Sequence, residues 1–138
     1  MYVDACAMNL IRQPEKFDVI VTTNLFGDIL SDESSQVVGG LGMAPAANIG
    51  DNFALFEPVH GAAFDIAGKN IANPSSFLLS IKMMLDWLGA KHNDVKCFTV
   101  AQKLESVIFD LVKSGVKTKD IGGDKSTLEF TKRITDNL

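Results

Sequence analysis

Only two stretches of this chain read as β-strand, and that shortage constrains the fold more than any other feature. "FDVIVTT" (17–23) is a β-branched run bounded by Lys16 and Asn24, the pattern of a buried strand. "FALFEPV" (53–59) is the second. Between them, Leu25, Ile29, Leu30, Val37 and Val38 recur at helical spacing. Strands alternating with helices predict an α/β fold. Two strands are too few for a self-sufficient doubly wound sheet. The expected architecture is therefore an incomplete sheet whose further strands come from elsewhere.

The remaining segments are mostly helical. Residues 3–13 place Val3, Cys6, Ala7, Leu10 and Ile11 on one face, and Pro14 follows, so a helix should end there. "GGLGMAPAANIG" (39–50), with Gly39, Gly40, Gly42, Gly50 and Pro45, reads as loop and as the best domain boundary. "HGAAFDIAGKNIANP" (60–74) is irregular. Three helices should follow. One spans 75–89, from a serine N-cap to Gly89; one spans 94–114, stopped by Gly115. The last spans 126–137, where Ser126 and Glu129 have capping-box spacing.

Composition excludes several functions. The 138 residues are 46% hydrophobic and 22% charged, which is globular rather than disordered. A net charge of -4 with no basic run argues against nucleic-acid binding. No apolar stretch approaches the ~20 residues of a membrane helix. The N-terminus has no basic region before an apolar run and carries Asp4, so a signal peptide is not expected. Cys6 and Cys97 are far apart and form no CxxC, which suits free thiols in a reducing, cytoplasmic setting.

Two groups of residues could carry chemistry. Asp28 and Asp32 in "NLFGDILSDE" (24–33) are four apart, so a helix puts both on one face with side-chain origins ~5–6 Å apart. Two carboxylates that close repel unless a cation or proton lies between them, and hard divalent ions take such ligands. Spacing alone leaves that reading open beside a solvated acidic face near a helix N-terminus. In 60–74, His60, Asp65 and Asn73 punctuate a glycine-containing loop of the kind that often binds ligands. Gly40-Leu41-Gly42 fails as a dinucleotide fingerprint, because the third glycine is missing and Pro45 follows closely.

The long motifs "YVDACAMNLIRQPEKFDVIVTTNLFGDILSDE", "GGLGMAPAANIG", "ALFEPVHGAAFDIAGKNIANP" and "TKDIGGDKSTLEF" occur in order over nearly the whole chain. Together they resemble the β-decarboxylating dehydrogenases, the isocitrate/isopropylmalate family, and look closest to its 3-isopropylmalate branch. The resemblance implies a dinucleotide-binding fold that is not a Rossmann fold. It implies Mg²⁺ or Mn²⁺ held by three aspartates, matched here by Asp28, Asp32 and Asp4, the last donated across a homodimer. It implies NAD with its adenosine end on the 60–74 loop. There His60 would pack on the adenine, Asn73 would hydrogen-bond it, and Gly61, Ala62 and Ala63 would permit close approach. Asp65 and Ile66 match the positions that choose between cofactors, and Asp65 would repel a 2′-phosphate, favouring NAD. Phe64 stands where the family more often has proline.

The family's general-acid tyrosine, catalytic lysine and substrate-binding arginines have no match, so no catalytic residue is expected in this segment. Met1 matches an interior family position. The chain resembles the C-terminal part of a longer enzyme, with 1–38 closing the smaller, dimer-forming domain and 39–138 forming half of the cofactor domain. The implied reaction is NAD-dependent oxidative decarboxylation of a 3-substituted malate, a small 2-hydroxy acid of leucine biosynthesis. Isocitrate or homoisocitrate are alternative substrates. A regulatory subunit or an inactive remnant is the alternative of another class.

Overall fold

In a computed structural model that describes residues 1–138, helix α1 (Val3–Arg12) ends at Gln13, one residue before Pro14. A helix continuing through Pro14 would meet the ring. Cys6 and Leu10 lie one turn apart on α1 and bury against Leu30 of α2 (Asn24–Val37). These two helices pack on each other rather than on the rest of the chain.

Residues 17–23 are not a strand. They form an irregular connection between a short 3₁₀ turn (Pro14–Lys16) and α2, with Val19 81% and Val21 92% exposed. A β-branched run becomes a strand only where a neighbour satisfies its backbone groups and covers its side chains. Within residues 1–138 no strand lies alongside it.

The glycine-rich stretch also departs from expectation, since its second half is a strand. β1 (Pro45–Ile49) pairs antiparallel with β2 (Ala54–Pro58), with Ala47 opposite Phe56 and Ile49 opposite Ala54. Gly50 N–H donates to Phe53 O (2.9 Å) and closes the turn. Both prolines sit at the same end of the hairpin, where their missing N–H groups cost least. The observed α/β arrangement is this small sheet with one long helix packed against it.

α3 (Ser75–His92) covers the hairpin, and its Trp87 meets the ring of Phe56 at 6.1 Å between centroids. α3 begins after Pro74 and runs through Gly89, the residue expected to stop it. A Cβ at Gly89 would lie 3.0 Å from the Phe98 ring, so glycine there permits close packing of α4 (Val95–Lys113). The stop is Asn93 instead, in the left-handed region at φ 53°. Asp94 then caps α4 by accepting from Lys96 N–H.

α5 (Thr127–Thr135) carries the expected capping box. Ser126 Oγ accepts from Glu129 N–H, and the Glu129 carboxylate accepts from Ser126 N–H. The Ser126 hydroxyl, then its N–H, hold the Glu129 carboxyl below its ordinary value. That contribution is present above the ordinary glutamate pKa and is lost as pH falls through the lowered one. Phe130 and Ile134 of α5 close the main core against Leu104, Val107 and Ile108 of α4, with Leu79 and Met43 beside them.

The surface is large for the mass. The accessible area is 9208 Å² for 14.9 kDa. An ordinary monomer of that mass exposes roughly 7,000 Å². The excess lies partly over Tyr2, Ile11, Val21, Leu25 and Ile29, all more than half exposed. We expect the chain in isolation to bind the dye ANS and to self-associate in light scattering. A sharply melting monomer that binds no ANS would contradict this.

Candidate metal and nucleotide site

α2 carries the two aspartates of the acidic motif. Their backbone carbonyls accept from serine hydroxyls, Asp28 O from Ser31 and Asp32 O from Ser35. Their carboxylates accept no hydrogen bond and pair with no lysine or arginine. Leu30, between them on the opposite face, anchors the helix on α1. The carboxylates are thereby turned into an open cleft of 1020 Å³, whose far wall is the end of the hairpin, with Glu57 and His60. Glu57 leans across β1, where its Oε1 accepts from Asn48 Nδ2 at 3.4 Å.

Asp4 lies elsewhere. It sits in the first turn of α1, where its Oδ1 accepts from Ala5 N–H (2.7 Å), and it does not line the cleft. No three metal-capable side chains come together within this one chain. Asp28 and Asp32 remain two oxygen donors without protein partners. That chemistry fits a hard divalent cation that takes its other ligands from water, substrate or another chain.

The 60–74 loop encloses the second cavity, of 590 Å³. Six of the seven expected nucleotide residues line it: His60, Gly61, Ala62, Ala63, Ile66 and Asn73. Asp65 does not; it is exposed on the 3₁₀ turn Phe64–Ile66, and Phe64 beside it is 87% exposed. A Cβ added at Gly61 would meet no atom within 4 Å, and Gly61 does not have a positive φ. Its glycine is therefore not demanded by backbone geometry or by protein packing, and leaves room for a ligand. Ala63 does adopt a left-handed conformation, φ 45°, which for a non-glycine residue stores strain of the kind found at binding loops.

His60 and Gly61 line both cavities, so the acidic cleft and the loop cavity adjoin. His60 Nδ1 donates to Gly61 O at 2.9 Å, which leaves Nε2 without a proton when the ring is neutral.

Asn73 is more committed than its expected role suggests. It is buried, its Nδ2 donates to Asp120 Oδ2 (3.0 Å) and contacts Met43 Sδ (3.6 Å), and its Oδ1 accepts from Ser75 N–H (3.0 Å). A ligand is left its backbone and one lone pair of Oδ1. Sequence reasoning also missed Asn70, Lys119, Asp120 and Thr127 in the cavity wall. "TKDIGGDKSTLEF" pointed to that segment as a whole but to none of these residues in particular.

Residues 1–138 match the family described as isocitrate/isopropylmalate dehydrogenase over their whole length. The chain belongs to this family. It is 55% identical over 135 residues to the 3-isopropylmalate dehydrogenase of Saccharolobus solfataricus, covering 97% of this chain and 40% of that protein. It is 58% identical over 132 residues to the homoisocitrate dehydrogenase of Methanocaldococcus jannaschii, covering 96% of this chain and 36% of that protein. The fold matches the crystal structure of isocitrate dehydrogenase from Methylococcus capsulatus with a TM-score of 0.87 at 42% identity, over 98% of this chain and 39% of that one. The chain thus spans about 40% of the length of the curated relatives it matches. Within this part of the isocitrate/isopropylmalate dehydrogenase fold the sheet is the two-stranded hairpin, and the run 17–23 pairs with no strand of the chain.

Two of the cavity glycines, Gly61 and Gly42, should respond differently to substitution. Gly61→Ala should leave stability within about 0.5 kcal/mol, because its Cβ enters open space. Gly42→Ala should destabilise the chain, because its Cβ would lie 2.7 Å from Asp120 Oδ2 and 3.1 Å from Asn73 Cβ. Urea titration followed by far-UV circular dichroism measures both, and equal effects would contradict the packing described.

Proposed function

We propose that this chain is the segment of an NAD-dependent β-decarboxylating dehydrogenase that supplies two metal carboxylates and the adenosine end of the cofactor site. The observation that carries the reading is the junction at His60 of two unpartnered carboxylates and a glycine-walled cavity. Asp28 and Asp32 would hold Mg²⁺ or Mn²⁺. When bound, that ion supplies a Lewis acid beside the hydroxyl of a 2-hydroxy acid. His60 and the backbone of 61–63 would pack against the adenosine and exclude water from it. Asp4 of a second copy would complete the metal ligands, which accords with its position away from its own chain's pair.

For the substrate we favour 3-isopropylmalate, or another 3-substituted malate. The named activities of the relatives at 49–58% identity also include isocitrate and homoisocitrate, so identity within this segment does not separate them. Substrate recognition would rest on residues outside this segment, and we expect no turnover from it alone. An inactive remnant would share the same two cavities. A dedicated regulatory subunit is disfavoured by the intact pair Asp28 and Asp32.

For the cofactor we favour NAD on the family resemblance at Asp65, a residue that does not itself line the cavity. Lys119, a cation in the cavity wall, works in the opposite direction. Equilibrium titrations of the chain test both sites. Mn²⁺ binding read by electron paramagnetic resonance should weaken about tenfold or more in Asp28→Asn and Asp32→Asn, the scale of one lost charged contact. Mn²⁺ affinity unchanged in both would remove the pair from the site. NAD should bind more tightly than NADP; the reverse order would transfer cofactor choice to Lys119.

A further inference from the structure

We propose that Asp120 is a positioning residue, a latch that holds the 60–74 loop in its cavity-forming shape. The proposal deepens the nucleotide reading above and rests on it for its functional consequence.

The C-terminal half of the loop is tied to a segment far along the chain. Asn70, left-handed at φ 57°, accepts Thr127 N–H on its carbonyl and Leu128 N–H on its side-chain Oδ1, both at 3.0 Å. Ala72 O accepts from Thr127 Oγ1 at 2.5 Å. These three bonds fix the loop to the first turn of α5. The fourth tie is Asp120, whose Oδ2 accepts from Asn73 Nδ2 at 3.0 Å.

Asp120 is itself held from the other side. Its Oδ1 accepts from Thr118 Oγ1 at 2.6 Å, and Thr118 is fully buried. Asn73 passes the constraint on, since its Oδ1 accepts Ser75 N–H at the start of α3. The result is a continuous chain of hydrogen bonds, Thr118–Asp120–Asn73–Ser75, running along the cavity wall from the 3₁₀ turn Lys119–Ile121 to α3. No lysine, arginine or histidine forms an ion pair with the carboxylate. Its two oxygens serve the latch, as charge-assisted acceptors stronger than neutral ones. Gly42 sits against the pair and admits no Cβ there.

Ala72 and Asn73 line the cavity, so the orientation of Asn73 sets what a ligand meets. Asp120 also lines the cavity, so Asp120→Ala removes the latch together with one lining group, whereas Thr118→Val loosens the latch and leaves the lining intact. Asp120→Ala should raise the hydrogen-exchange rates of amides in 70–73 and weaken AMP binding by about tenfold each, the scale of one charged hydrogen bond. Asp120→Asn keeps an acceptor for Asn73 and should restore both to near the parent. Thr118→Val, which removes only the outer bond, should fall between, and it supplies the test if Asp120→Ala fails to fold.

Unchanged exchange in both Asp120→Ala and Thr118→Val would overturn the proposal. So would an Asp120→Asn that loses AMP binding with its exchange intact, because the carboxylate would then touch the ligand directly. A parent that binds no AMP, with exchange rates following the expected order, would remove the nucleotide assignment and uphold the latch.

Discussion

Two buried serine hydroxyls on α3 hold the hairpin in place, and both cavities depend on them. Ser76 Oγ donates to Ala44 O at 2.5 Å and Ser80 Oγ donates to Glu57 O at 2.8 Å, so each strand is fastened at the end that carries a proline. Ser76 N–H also donates to Gly42 O (2.8 Å). These carbonyls lie at the proline end of the hairpin, where Ala44 O also accepts Val59 N–H at 3.4 Å. Buried without acceptance they would cost ~1–3 kcal/mol each. Satisfied by α3, they place Gly42 against one cavity and Glu57 and His60 at the other.

From that anchor the site is a matter of adjacency. β2 leads directly into His60, and His60 and Gly61 form the wall common to both cavities. A cation held by α2 and a nucleotide held by the loop would therefore be neighbours. Under the proposed reading, the segment would contribute position and charge to such a site.

Much of the local structure was legible in the sequence. Ser126 and Glu129 announced α5, Pro14 ended α1, and the spacing of Asp28 and Asp32 put them on one helical face. The failures share a cause, which is that the deciding partner lies on another element. Residues 17–23 have the composition of a strand and no strand beside them. Pro45–Ile49 has the composition of a loop but pairs with Ala54–Pro58 and packs under α3. Gly89 looked like a stop until Phe98 was placed against it. Asp120 was invisible for the same reason, since Asn73 is 47 residues away. No local pattern marks an acceptor at that separation. Asp65, legible as a motif residue, does not line the cavity it was expected to serve.

Asp28 and Asp32 share one cleft with His60. Paramagnetic broadening by Mn²⁺ in the amide NMR spectrum of the chain tests this arrangement. The signals of Asp28, Asp32, His60 and Gly61 should broaden at the lowest Mn²⁺ concentrations, before those of α4 and α5. Persistence of the His60 and Gly61 signals while those of Asp28 and Asp32 vanish would contradict the shared cleft. Earliest broadening around another acidic group, such as Glu105 or Asp110, would contradict the metal site itself.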